Sequence, residues 1–345
     1  MNPKKNPKTF IALLLLLVAF AVSYSWTYTP FGKLDYRAAL SLHLLSFEMA
    51  YQPDPNSDFE FNLPINLIYP LSAMLPKDPV SKVQDVTIPG DGVDIPARIY
   101  WPDTKATMEP PPPLIVYYHG GGFVVGSVEI FDPLTRSLAD TTKAIVISVD
   151  YRLAPAHPFP AALNDCYAAL EWAAQNATSL GADPNRLIVG GDSAGGNLAA
   201  VVALKARDLG NPTLAGQILY YPAVDLSDKS YPSELNFTDG YGLSSEARAA
   251  FRQSYVGNID DKTNPYISPL YANSLANLPP ALVVTAGFDP LTDATLIYNQ
   301  RLKQEGVSVT AHHYPEIIHG FMSVQLFSEQ REALNATKAF VAKLK

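Results

Sequence analysis

The chain has 345 residues, of which 48% are hydrophobic, 11% aromatic and 17% charged. This composition is that of a globular protein with a full hydrophobic core, and it excludes a disordered or fibrous chain. The net charge of −8 argues against nucleic-acid binding, because that function needs a cluster of lysine and arginine that the sequence does not contain. A small, apolar or neutral substrate is the more natural expectation.

The N-terminus has the pattern of an export signal. Three lysines lie among the first eight residues, and thirteen apolar residues without a charge follow at 10–22. The length of this run is typical of a signal peptide, and a small-x-small pattern ending at Ser23 favours cleavage there. The apolar character continues into an aromatic stretch, so residues 1–25 are either a signal peptide or a membrane anchor. Both interpretations place the rest of the chain outside the cytoplasm, either exported or attached to a membrane.

Residues 26–82 do not have the pattern of a sheet. A helical stretch covers 34–50 and is followed at 51–76 by a segment rich in proline and aromatic residues. We interpret this region as the N-terminal segment of a cap or lid over a catalytic domain.

Eight runs rich in β-forming residues follow, and from the third onward they alternate with helical segments. Continuous apolar strands separated by helices predict an α/β fold with a mostly parallel sheet covered on both faces. The first two runs have no helix between them and predict an antiparallel hairpin at one edge. The eight runs are 82–89, 93–102, 114–120, 144–151, 186–191, 216–222, 281–287 and 307–315.

One insertion interrupts this alternation. Residues 227–278 contain one helix-like piece at 244–256 and no strand pattern, and we interpret them as the second part of the cap. The predicted organisation is therefore one catalytic domain, residues 83–345, with a cap built from two separate segments.

The sequence GGDSAGGNLA at 190–199 surrounds Ser193 with glycine. A β-branched run precedes this serine and a run of helical spacing follows it, so a strand passes directly into a helix. So sharp a turn strains the backbone and favours Gly191 and Gly195 beside the serine. The motif alone leaves two interpretations open, a nucleophile exposed at a helix N-terminus or an ordinary glycine-rich turn.

A second glycine cluster, HGGG at 119–122, lies at the end of the predicted strand run 114–120. Loops at the carboxyl ends of parallel strands build the sites of α/β sheets. Three glycines allow backbone N–H groups to face a substrate oxygen, which predicts an oxyanion hole. The alternative, a phosphate-binding loop, is disfavoured because no P-loop motif is present. Together the two glycine motifs favour acyl transfer by a nucleophilic serine.

A nucleophilic serine needs a base, which in this architecture follows the acid along the chain. Three histidines follow Ser193. His312 and His313 lie inside a strand pattern and would point to opposite faces of the sheet. His319 follows that strand in a loop, so we predict that it is the base.

The acid is predicted from the same logic. Asp289 comes directly after the predicted strand 281–287, at the end where the site is expected. Asp293 lies inside the next helix, where a first-turn charge is common, and Glu316 lies close to the base. We favour Asp289 over these two alternatives.

The motifs HGGGF, DYRLAP, GDSAGGNLA, FDPLTD and IHGF occur in an order and spacing that resemble the hormone-sensitive-lipase-like family of α/β-hydrolase carboxylesterases. The resemblance covers nearly all of residues 85–345. It implies an α/β-hydrolase fold with a helical cap, and a serine carboxylesterase that needs no metal or organic cofactor. The triad it implies is Ser193, Asp289 and His319.

The same resemblance implies an oxyanion hole formed by the N–H groups of Gly121, Gly122 and Ala194. One position departs from the family, because Ala156 stands where a glutamate usually follows YRLAP. This departure puts a structural carboxylate near the floor of the site in doubt but removes no catalytic group. Cys166, the only cysteine, lies in a helical pattern and is expected to be buried and inert.

The substrate is expected to be a small apolar ester of short to medium acyl chain. Aromatic and aliphatic cap residues that face inward would close the pocket and limit the chain length, whereas the alternative is that they only attach the cap to the body. These residues are Phe59, Phe61, Ile65, Leu67, Ile68, Tyr69, Phe237 and Tyr241. Two other functions stay open, a non-catalytic receptor for a small ligand and an acyltransferase or amidase with the same triad.

Overall fold

The computed structural model describes residues 7–44, 77–103 and 110–344, with the backbone alone described for 7–14. Within these residues, eight strands form one sheet and two short strands form a separate hairpin. The hairpin strands are β1 (Tyr28–Thr29) and β2 (Gly32–Lys33). The sheet strands are β3 (Val80–Pro89), β4 (Asp94–Pro102), β5 (Leu114–Tyr118), β6 (Ile145–Val149), β7 (Leu187–Asp192), β8 (Gly216–Tyr220), β9 (Ala281–Phe288) and β10 (Val309–Ile318).

The strand order is β10-β9-β8-β7-β5-β6-β4-β3. The six strands from β5 onward are parallel, whereas β3 and β4 form an antiparallel hairpin that joins the sheet through β6. The predicted α/β-hydrolase architecture is confirmed, including the antiparallel hairpin at one edge. The carboxyl ends of β7, β9 and β10 reach the same edge of the sheet because these strands are parallel.

Helices cover both faces of this sheet. The helices of the catalytic body are α3 (Val128–Thr142), α4 (Ala161–Leu180), α5 (Ala194–Leu209), α8 (Thr292–Gln304) and α9 (Ser328–Val341). The central strand β5 shows the consequence, because all five of its residues are buried. Leu114, Val116 and Tyr118 belong to the hydrophobic core on one face, and Ile115 and Tyr117 belong to the core on the other.

Of the helices in the described residues, four lie outside this body. At the N-terminus are α1 (Pro7–Ser25) and α2 (Tyr36–Leu44), the latter within the predicted helical stretch 34–50. The insertion contains α6 (Pro232–Asn236) and α7 (Ser245–Val256), and α7 is the helix predicted there. The sequence pattern did not predict the five-residue α6. The predicted proline-rich cap piece, 51–76, lies outside the described residues.

Among the residues that the structure describes, no helix has both the length and the apolar character needed to cross a membrane.

Candidate active site

Ser193 lies at the turn between β7 and α5. Its φ of +56° is a conformation that residues with a side chain rarely adopt, so the backbone is strained at this point. Two glycines make the turn possible. A Cβ on Gly195 would collide with the carbonyl oxygen of Tyr118, and a Cβ on Gly191 would collide with the carbonyl oxygen of Gly195. The strand, turn and helix around the serine are therefore those that the motif predicts.

The structure brings Ser193, His319 and Asp289 together. His319 Nε2 lies 2.9 Å from Ser193 Oγ, and His319 Nδ1 lies 2.8 Å from Asp289 Oδ2. Because Asp289 can only accept, Nδ1 carries the proton and Nε2 is left to accept from the serine hydroxyl. Both His319 and Asp289 are buried, so bulk water does not compete for these hydrogen bonds.

The predicted acid and the predicted base each lie at the carboxyl end of a strand. Asp289 directly follows β9 and His319 directly follows β10, and the two strands are neighbours in the sheet. The second carboxylate oxygen of Asp289 accepts a hydrogen bond from the N–H of Leu291 at 2.8 Å. That contact fixes the direction in which Asp289 presents Oδ2 to His319.

The alternative residues lie elsewhere. Asp293 accepts a hydrogen bond from the N–H of Ser233 at 2.8 Å and so supports the start of α6. Glu316 is half exposed and forms a 3.8 Å ion pair with Lys33. His313 shares a hydrogen bond with the Thr285 hydroxyl in the sheet.

The predicted oxyanion residues line the same cavity as Ser193. The N–H groups of Gly121 and Gly122 donate no hydrogen bond to the described residues, and the N–H of Ala194 lies in the first turn of α5, where no intrahelical acceptor exists. A Cβ on Gly122 would collide with the ring of Phe251, so helix α7 packs directly on this loop.

Asp192 is a buried carboxyl group that the sequence reasoning did not assign. Its Oδ1 accepts hydrogen bonds from the Tyr117 hydroxyl at 2.7 Å and from the N–H of Gly120 at 3.0 Å. Burial raises the pKa of Asp192 to about 6, and these two hydrogen bonds oppose the shift. Asp192 therefore joins the serine turn to the loop that carries Gly121 and Gly122.

His119 supports the loop from the other side. Its ring is stacked on Tyr151 with centroids 4.4 Å apart, and Nδ1 donates to the Gly120 carbonyl at 2.8 Å. Burial lowers the pKa of His119 to about 4, so the ring is neutral at physiological pH. A neutral, stacked ring suits a structural part in holding the loop.

A cavity of about 650 Å³ opens at Ser193, within the size range of small-molecule sites. Its lining is mixed. The catalytic body and the cap supply apolar side chains, which include Phe123, Val124, Leu153, Leu243, Phe251 and Leu291. The cap also supplies charged groups, among them Glu234 and Arg248.

Two aromatic residues expected in this lining lie outside it. Phe237 and Tyr241 pack on Phe288, with ring centroids 5.5 and 5.6 Å away, and neither lines the cavity. For these two residues the expectation of an inward-facing apolar wall is wrong, because their rings attach the cap to the body instead. The other six residues of that prediction lie outside the described part of the chain.

Two further residues were singled out by the sequence. Cys166 is buried as expected, and burial raises the pKa of its thiol well above the usual value. Ala156 is exposed, and the nearby Arg152 forms a 2.7 Å ion pair with the buried Asp165. Within the described ranges, no group of three or more His, Cys, Asp or Glu side chains could hold a metal ion.

A serine on a strained strand-to-helix turn, beside a histidine and a carboxylate at the ends of neighbouring strands, defines the α/β-hydrolase class. A family described as having the alpha/beta hydrolase fold matches residues 115–323. Esterase LipI of Mycobacterium tuberculosis is 44% identical over 252 residues, which are 72% of this chain and 78% of LipI.

Solved structures agree with this match. An esterase from Pyrobaculum calidifontis is 43% identical with a TM-score of 0.74, and the match covers 80% of this chain and 89% of that one. The carboxylesterase EstE1, cloned from a metagenomic library, is 39% identical with a TM-score of 0.77, covering 81% and 95%. The chain belongs to the hormone-sensitive-lipase-like family of α/β-hydrolase carboxylesterases. Its class is carboxylic ester hydrolase, so the alternative hypothesis of a non-catalytic receptor is rejected.

Proposed function

We propose that the protein hydrolyses esters of short to medium acyl chain through a triad of Ser193, His319 and Asp289. His319 Nε2 takes the hydroxyl proton as Ser193 Oγ attacks the ester carbonyl, and Asp289 stays ionised and holds the imidazole tautomer. The alcohol leaves with the proton from His319, and water activated by the same residue releases the acid from the acyl-enzyme. The observation that carries this proposal is the pair of 2.9 and 2.8 Å contacts on His319.

The negative charge on the carbonyl oxygen needs donors that are already in place. We assign this role to the N–H groups of Gly121, Gly122 and Ala194, which line the cavity beside Ser193. Each such donor contributes on the order of a hundredfold to the rate. Asp192 is a positioning residue, because it holds the serine turn and the glycine loop in one arrangement.

The test is the kcat of Ser193→Ala on 4-nitrophenyl butyrate. We expect a loss of about 10⁴-fold or more, since the nucleophile is gone. Circular dichroism and thermal unfolding provide the control for folding. A folded variant that keeps its rate would contradict the assignment of the nucleophile.

Acyl transfer to another acceptor and amide hydrolysis use the same triad. Both are separated from ester hydrolysis by product analysis, with an alcohol or an amine supplied as a competing acceptor and an anilide supplied as a competing substrate. Our proposal expects free acid as the main product. A dominant transfer product would instead make the protein an acyltransferase.

Arg248 favours a second candidate substrate class, esters that carry an anionic group. It lines the cavity, forms no salt bridge with a described residue, and donates only to the carbonyl oxygens of Leu243 and Glu234, at 3.3 and 3.4 Å. Burial lowers the pKa of Arg248, and the charge of Glu234, which lines the same cavity, opposes this shift. A guanidinium offers a planar pair of N–H donors that suits a carboxylate.

Methyl valerate and monomethyl glutarate separate the two substrate classes, because they differ chiefly in the terminal carboxylate. If Arg248 binds that group, Arg248→Met lowers the glutarate-to-valerate ratio of kcat/KM by about tenfold or more. Arg252→Met, one turn along α7, is the comparison variant: Arg252 also lines the cavity, but its guanidinium is paired with Asp228 at 3.5 Å, so its loss should lower the ratio less. If the ratio is unchanged in the Arg248 variant, apolar esters are the only one of the two substrate classes that remains.

A further inference from the structure

Helix α1 exposes large apolar side chains in a way that the rest of the described surface does not. Six of them between Leu15 and Val22 are 50% to 68% exposed. Residues 15–18 are consecutive, so their side chains point in all directions around the helix axis. A helix that is apolar on every side is not covered by packing one face on a protein, and such exposure marks a partner.

The base of α1 is fixed to the folded domain. The Ser23 hydroxyl lies 2.9 Å from the Tyr36 hydroxyl, and Thr27 is fully buried. The Trp26 ring is stacked on His43 with centroids 4.5 Å apart. The helix therefore leaves the domain in a set direction, and its attachment includes the residues at the predicted cleavage point.

This base lies beside the cavity at two places. Phe31, at the turn of the β1–β2 hairpin, contacts Phe237 and Tyr241 with ring centroids 5.4 and 6.3 Å away. Along the chain, Phe237 and Tyr241 fall between Glu234 and Gly242, and both of these residues line the cavity.

The second place is the loop after His319. Arg37 donates to the Leu326 carbonyl at 3.0 Å, and Val324, two residues earlier, lines the cavity. The docked N-terminal segment therefore touches both chain segments that form one side of the cavity wall.

Exposed apolar residues continue from α1 onto these same segments. Tyr28 and Phe31 on the hairpin, Leu235 on α6 and Leu326 in the loop are all exposed. Charge adds a second indication. The first eight residues carry three lysines in a chain of net charge −8, a local excess that suits an anionic lipid surface.

We propose that the N-terminal segment is retained and inserts α1 into a lipid bilayer, so that this side of the catalytic cavity faces the membrane. Substrates are then apolar esters that partition into lipid and reach Ser193 across the rim formed by α6 and the Leu326 loop. The substrate part of this inference rests on the proposed esterase function, whereas the lipid contact does not.

The test compares two double variants of the full-length protein on vesicles of phosphatidylcholine with a minority of phosphatidylglycerol. Leu16→Ser with Phe20→Ser removes apolar contacts of α1. Leu209→Ser with Leu296→Ser removes two exposed leucines of the catalytic body and is the matched control. We expect the α1 variant to lose co-sedimentation by about tenfold or more, and the control to bind as the wild type does.

Activity then tests the orientation. The readout is the rate on 4-nitrophenyl hexanoate dissolved in the vesicles, divided by the rate on 4-nitrophenyl acetate in water. This ratio should fall with the α1 variant and stay constant with the control. The inference would be overturned if the wild-type protein did not bind the vesicles, or if the ratio of the two rates did not change with vesicle binding.

Two further measurements keep the outcomes apart. Ser193→Ala should bind vesicles as the wild type does, so loss of the proposed function and loss of lipid binding are read separately. The intact mass of the protein isolated from its native membrane fraction should include α1. A mature protein that begins at Tyr24 would overturn retention of the segment.

Discussion

The catalytic centre and the cap are held in place by different kinds of contact. Asp289 and His319 directly follow β9 and β10, so the hydrogen-bonded ladder of the sheet sets their positions. Side chains of the body hold the cap at several places. The Asn197 amide donates to the Ile267 carbonyl at 2.9 Å, and the Arg301 guanidinium donates to the Ala272 carbonyl at 2.9 Å. The topology of the sheet thus sets the positions of the proposed catalytic residues, and the cap can vary without moving them.

The strongest test of this contrast compares two aspartates that are four residues apart. Asp289→Asn removes the carboxylate that fixes the His319 tautomer, and we expect kcat to fall about 10⁴-fold. Asp293→Asn changes a residue that supports α6, so kcat should fall less than about tenfold.

Steady-state kinetics on one soluble ester measures both variants, with unfolding curves as the control for folding. The reverse ranking would mean that Asp293, and not Asp289, is the acid that holds His319. Catalysis would then depend on the contact between α8 and α6 of the cap.

Asp192 tests how firmly the serine turn and the glycine loop are joined. Its folded pKa of about 6 lies above the usual 3.8, so its contribution to stability is greatest below pH 4 and is lost as the pH rises through 6. Asp192→Asn has no such proton to lose. Between pH 4.5 and 8 we therefore expect the wild type to lose about 2 kcal/mol of unfolding free energy relative to the variant.

Urea unfolding at the two pH values measures this difference. Parallel changes in wild type and variant would mean that Asp192 does not titrate in this range, and that the buried carboxyl group is held in one protonation state.

The smallest effects are expected in the cap. Each methylene buried in the 650 Å³ cavity contributes about 0.8 kcal/mol, or roughly fourfold in kcat/KM, until the cavity is full. The value should rise from acetyl to about butyryl or hexanoyl esters and fall steeply beyond about ten carbons. A 4-nitrophenyl ester series measures this profile. A flat profile, or strong activation on emulsified triacylglycerol, would contradict a cavity that limits chain length.

The sequence predicted those features that depend on the order of elements along the chain. The eight strands, the turn at Ser193 and the meeting of Asp289 with His319 all follow from local patterns and the geometry of a parallel sheet. Gly195 could be predicted as well, since a strand that turns at once into a helix leaves no room for a side chain at that position.

Other features depend on contacts between distant parts of the chain, which periodicity does not report. Asp192 was quoted in the serine motif, but its partner Tyr117 lies 75 residues earlier. Phe237 and Tyr241 were wrongly expected inside the cavity, because the sequence of a cap segment carries no signal for the direction in which an aromatic ring points. Helix α6 was missed because five residues are too few to show helical spacing.

The most direct test of the account is covalent labelling of Ser193 by an organophosphate such as diethyl 4-nitrophenyl phosphate. The tryptic peptide 187–205 contains Ser193 as its only hydroxyl residue, so an adduct on this peptide is unambiguous. The account predicts one phosphoryl group on that peptide, loss of esterase activity in proportion to labelling, and much slower labelling in His319→Ala. Full inactivation with the peptide unmodified, or labelling that is as fast without His319, would contradict it.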